Sequence, residues 1–117
     1  MKKMLAVSLL TLISFDVSAL PSFAAQCKQA VRGFDNEILN TDQQMLAAYC
    51  LGYVSGVRDV DHTNGNHKYC ISKGTTQESL VRVVSKYMDE NPSKLDRHKV
   101  LLVDEALRES YNCHKTP

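Results

Sequence analysis

Four cysteines and four histidines are the side chains of this 117-residue chain best suited to chemistry, and their spacing decides which chemistry is open. Cys27, Cys50, Cys70 and Cys113 are far apart and contain no Cys-x-x-Cys pair, so the usual zinc-ligand pattern is missing. Cys113-His114 has no cysteine three residues upstream, as covalent haem attachment requires. His62, His67, His98 and His114 include no pair at the i, i+4 spacing of a helical metal face. Asp59-Val60-Asp61-His62-Thr63 begins like a calcium loop, but the sixth position holds Asn64 in place of glycine and the twelfth Cys70 in place of glutamate. Gly52-Tyr53-Val54-Ser55-Gly56 misses the nucleophile-elbow pattern, its serine falling one position late inside a helical stretch. With the cysteines oxidised there is no thiol nucleophile, and no glycine-rich phosphate loop occurs. The sequence therefore offers no catalytic residue, no metal site and no cofactor site, and it points to a module that binds.

The cysteines also report on compartment. Lys2 and Lys3 precede an apolar run from Met4 to Phe15 and then small residues at Ala19, Ala24 and Ala25, the layout of a secretory signal peptide. The run is shorter than the ~20 residues a membrane-spanning helix needs. Val17-Ser18-Ala19 and Ser22-Phe23-Ala24 both fit a cleavage site; cleavage is expected after Ala24 or Ala25, giving a leader over 1–25 and one domain over 26–117. Gln26 ahead of Cys27 does not fit a lipoprotein signal. All four cysteines lie beyond the leader, so an even set in an exported chain reads as two disulfides, in a bacterial periplasm. Four cysteines allow three pairings and sequence alone does not choose between them; the expected one is Cys50 with Cys70 and Cys27 with Cys113.

Composition agrees with a small secreted domain. The chain is 44% hydrophobic and 23% charged, with 14 basic against 13 acidic groups and no run of one sign, so neither a nucleic-acid groove nor a polybasic membrane patch is present. A core this small is marginal without disulfides or oligomerisation.

Three helices can be placed from caps and periodicity, with a fourth possible over Lys28–Leu39. The first is expected from about Asp42 to Val60, opened by a capping box at Thr41 and carrying Leu46, Tyr49, Cys50, Tyr53, Val57 and Val60 inward. Ala48, Gly52 and Gly56 follow one another at four-residue intervals on another face. A glycine costs about 1 kcal/mol relative to alanine inside a helix, so two of them predict close packing by another element. The second helix is expected from a capping box at Thr75 to about Asn91, burying Leu80, Val83, Val84, Tyr87 and Met88. Pro92 then restarts the chain into a third helix that carries Leu95, Leu102, Val103, Ala106, Leu107 and Tyr111 inward. No strand pattern competes. The fold class expected is all-α, a small disulfide-bonded bundle of three to four helices, with Asp61–Tyr69 as the exposed loop.

Between Tyr49 and Cys113 these pieces fall into a familiar order. Cys50-Leu51-Gly52-Tyr53-Val54-Ser55-Gly56-Val57-Arg58-Asp59 is followed by Cys70, by Gly74-Thr75-Thr76-Gln77, by Val83-Val84-Ser85-Lys86-Tyr87-Met88 with Asn91-Pro92, and by Val103-Asp104-Glu105-Ala106-Leu107 before Cys113. This arrangement resembles the Rap/Tai family, periplasmic immunity proteins against type VI secretion amidase effectors. Ser72 and Asn112 stand where family members often carry proline, and the segment from Cys27 to Asn40 matches poorly. The resemblance implies an all-helical, disulfide-bonded homodimer that binds a peptidoglycan amidase and occludes its substrate groove. Two polar connections are the candidates for the partner contact, set against the alternative that both are only solvated connections: the loop from Asp59 to His67, with Asp59, Asp61, His62 and Asn64, and the turn Asp89-Glu90-Asn91. The rival function is a periplasmic acid-stress chaperone of the HdeA type, which would gain positive charge at His62, His67 and His98 in acid and expose apolar surface.

Overall fold

The computed structural model describes residues 21–65 and 67–114. Most of the expected leader lies outside them. Among the described residues there are four α-helices and no strand: α1 (Phe23–Phe34), α2 (Thr41–Thr63), α3 (Gln77–Glu90) and α4 (Lys99–Ser110), with a single 3-10 turn at Pro92–Lys94 leading into α4. The all-α expectation holds.

Each helix begins on a side chain that satisfies its first free backbone N–H groups. Ser22 accepts from the Ala25 N–H, Thr76 from Ser79 and the His98 ring from Val100. At α2 the reciprocal capping box is Asn40 with Gln43, one residue ahead of the box expected at Thr41, and α3 is likewise capped by Thr76 in place of Thr75. Asparagine caps as well as threonine does, and Gln43 stands at the position from which its amide reaches back to the Asn40 N–H.

Helix α3 lies at the centre, packed by α1, α2 and α4. Leu80, Val81, Val84 and Met88 are buried on it, facing Leu102, Val103, Ala106 and Leu107 of α4, Ala47, Cys50 and Val54 of α2, and Cys27 and Ala30 of α1. Leu95, expected inside, is exposed, because the 3-10 turn ends before it and it sits in the connection to α4.

Three further expectations are overturned. The disulfides are Cys27–Cys50 and Cys70–Cys113. Cys27 lies one turn inside α1 and not on a loose terminus, and the α1–α2 hairpin sets it directly on Cys50, both fully buried. Cys70 is drawn to the end of α4, where its N–H donates to the Tyr111 carbonyl at 2.7 Å. Second, α2 is rotated relative to the expected face: Ala47, Cys50, Val54 and Asp61 are buried, whereas Tyr49 and Val60 are exposed. The Cys27 bridge fixes Cys50 inward and turns the tyrosine and valine out. Third, Ala48, Gly52 and Gly56 face solvent, and a Cβ built at either glycine would meet nothing within 4 Å. No element among the described residues makes the close approach that the glycines predicted.

Candidate interaction surface

The exposed loop is held from inside. Asp61, 7% exposed in the last turns of α2, accepts the Lys68 backbone N–H at 2.9 Å, and its second oxygen lies 3.6 Å from the His67 ring nitrogen. Lys68 and the Tyr69 hydroxyl each donate at 3.2 Å to the two oxygens of Asp104 on α4. Tyr69 is buried, and burial first, then the charges of Asp104 and Asp61, push its phenol far above the ordinary tyrosine range. The Cys70–Cys113 bridge closes the far end. A polar stretch rich in turn formers thereby becomes a loop with three anchors, and Gly65 supplies the positive φ of 69° its turn requires.

The four loop residues expected to meet a partner divide by role. Asp61 is spent inside. His62 is exposed and stacks on His67 with ring centroids 5.9 Å apart. Asn64 closes α2, its N–H donating to the Val60 carbonyl. Asp59 is exposed and holds no ion pair among the described residues.

The second candidate zone lies at the C-terminal end of α3. Asp89 and Glu90 keep side-chain exposures of 55% and 61% while pairing with Lys28 at 3.3 Å and Lys86 at 3.8 Å. Pairs this exposed contribute little to stability. Asn91 is framework, its amide donating to the Tyr87 carbonyl at 2.8 Å. Beneath it, Tyr87 donates to Glu105, which also takes Arg97 at 2.6 Å. The Tyr87 hydroxyl, with Arg97 and Lys94 beside it, holds the Glu105 carboxyl below the usual glutamate range against the opposing cost of burial. The turn is therefore stiff and its two carboxylates point to solvent. No hydrogen bond or ion pair joins the two zones among the described residues: α3 starts on α2 through Gln77 to the Leu51 carbonyl at 3.0 Å and ends on α1 through Asp89.

A groove of about 440 Å³ runs beside the loop, floored by Gly52 and Gly56 and walled by Tyr53, Val60, Tyr69 and Val100. Beyond its α2 end, Lys99 sits 4.7 Å over the Tyr49 ring and 5.0 Å over the Tyr53 ring, donating to the Tyr49 hydroxyl, which raises its pKa. This aromatic and glycine surface was missed as a site by sequence reasoning, which assigned both its tyrosines and its glycines to packing. The glycine spacing was the available signal.

Among the described residues no three His, Cys, Asp or Glu side chains cluster as a metal site, and no helix is long and apolar enough to cross a membrane. Fold and surface together define a small helical module tied by two disulfides, in which Asp61, Asp104 and Glu105 brace the exposed connections. The chain belongs to the Rap1a immunity protein family, whose pattern matches residues 20–113. Comparison with curated proteins and with solved structures returns no match.

Proposed function

We propose that this chain is a periplasmic immunity protein that binds a peptidoglycan amidase delivered by type VI secretion and blocks the enzyme's substrate groove without itself catalysing a reaction. The observation that carries this reading is the family match over 20–113, which favours it over an acid-stress chaperone. The exposed acidic pair on a braced turn supports it: a preorganised projection loses little entropy when it enters a groove. Asp89 and Glu90 are the contact we assign to the amidase, with His62 on the loop as the second zone. Homodimerisation, implied by the resemblance, belongs to the same reading.

Export follows from the leader, and the packing of α1 argues for where it ends. Phe23 sets its ring edge-on to Tyr53 at 5.2 Å, and Ser22 caps the helix. Cleavage after Ala24 or Ala25 would remove both. Cleavage after Ala19, the other site the sequence offers, keeps them, so we place the mature start at Leu20.

The test is inhibition of a type VI peptidoglycan amidase from the same genome by the oxidised protein, read as loss of peptide release from purified peptidoglycan. Stoichiometric inhibition and a stable complex support the proposal. Full amidase activity at excess protein, for every such amidase of the genome, overturns it.

A further inference from the structure

Helix α2 spans about 34 Å at 1.5 Å per residue and carries on one face a stripe that the other described elements leave uncovered except along one edge, where Val100 borders the groove and Lys99 reaches over Tyr49. Met45, Tyr49, Gly52, Gly56 and Val60 follow the helical period along that face, and Tyr49, Val60 and Met45 are 44%, 60% and 67% exposed. Two glycines in the middle of this helix lower its stability by about 1 kcal/mol each relative to alanine, and nothing among the described residues needs their smallness.

We propose that this face is where a second copy of the chain docks, the two α2 helices crossing antiparallel over Gly52 and Gly56. This rests on the homodimer reading above and names its interface. A two-fold axis between the glycines places each copy's glycine pair opposite the other's, so both backbones gain the close approach that one chain leaves unused. The same axis sets Val60 over the small Ala48 and brings residue 49 opposite residue 59. Charge then selects the occupant. Lys99 stands over Tyr49 at one end of the stripe with no carboxylate partner among the described residues, and Asp59 stands at the other end with no cation. Antiparallel pairing joins Lys99 of each copy to Asp59 of the other, twice per dimer. The acidic turn at Asp89 and Glu90 stays off this face and remains open on both copies.

Sedimentation equilibrium of the oxidised protein, produced from the full chain, tests this with four variants whose folding is checked by circular dichroism. Wild type should sediment as a dimer and Gly56→Arg as a monomer. Asp59→Lys and Lys99→Glu should each weaken the dimer about tenfold, because two rim pairs are converted to repulsions. The double variant Asp59→Lys/Lys99→Glu should recover wild-type affinity. A dimer unaffected by all four changes places the interface elsewhere and overturns the inference while leaving the homodimer reading intact. A wild type that is monomeric at 100 µM, a concentration at the scale of weak protein association, overturns both. Loss of amidase binding by folded Gly56→Arg in that case assigns the face to the amidase.

Discussion

Asp61 accepts the backbone N–H of Lys68 at 2.9 Å, so a carboxylate buried at the end of α2 holds the chain seven residues further on. The sequence marks this aspartate as a partner contact; the structure makes it the inner anchor of the loop. Asp61→Ala removes the charged acceptor of this part-buried hydrogen bond, a loss of about 1–3 kcal/mol. Its thermal midpoint should fall, and the Lys68 amide should exchange with solvent faster than in wild type. Unchanged exchange at Lys68 would show that the contact does not hold the loop.

Reversing both charges of the acidic turn, Asp89→Lys with Glu90→Lys, should weaken an amidase complex by at least tenfold, as for two rim charges on a steered interface. Lys28 is unsuitable as a control because it pairs with Asp89. Lys73 is exposed and holds no ion pair among the described residues, so Lys73→Glu should leave binding unchanged. Equal effects from both would count against the turn.

The two bridges should part company under reduction. Cys27 and Cys50 are fully buried, whereas Cys70 and Cys113 are exposed. A mild reductant should open Cys70–Cys113 first, as alkylation and peptide mapping would reveal. Replacing either pair by alanine should cost ~3 to 4 kcal/mol, from loops of 23 and 43 residues. Simultaneous opening would mean that the core around Cys27 breathes as readily as the surface.

Stability should fall at both ends of the pH range, for separate reasons. The Glu105 carboxyl is depressed by the Tyr87 hydroxyl and by Arg97 and Lys94. Its contribution is present above the unfolded value of ~4.3 and is lost as pH falls through the folded value. The Tyr69 phenol is raised, chiefly by burial, so its contribution is complete below the unfolded value of ~10 and disappears as pH climbs past it. The midpoint difference between wild type and Glu105→Gln should shrink from neutral pH into acid, and Tyr69→Phe should lose less stability than wild type in alkali. Parallel curves would remove these groups from the account.

Cleavage at Ala19 predicts Leu20 as the first residue of the exported protein, read by intact mass. A mass starting at Ala25 or Gln26 would show that the protein folds without the Ser22 cap and the Phe23–Tyr53 contact.

The helices of the fold were legible, to within a residue at their caps, because capping signals and periodicities are local: Thr75-Thr76, Pro92 and the α3 stripe carry their own signals. Helix α1 was obscured because its first turn overlaps the small residues that also read as a cleavage site, and with α1 uncertain the partner of Cys27 could not be chosen. The rotation of α2 was hidden for the same reason. Tyr49, Tyr53, Val57 and Val60 form as good a stripe as Ala47, Cys50 and Val54, and only the tertiary bridge at Cys50 decides between them. At the interaction surface, the loop and turn were visible as polar connections. The burial of Asp61 was not, since it depends on Lys68 folding back over it.

The pairing Cys27–Cys50 and Cys70–Cys113 joins the cysteines in the order in which they occur along the chain, first to second and third to fourth. A polypeptide threaded N-terminus first into an oxidising compartment can therefore close each bridge as the next thiol arrives, with no reshuffling by an isomerase. The same order leaves residues 51–69 outside both covalent rings. A single protease cut at Gly65 would divide the molecule into two internally stapled fragments that only their shared core keeps together.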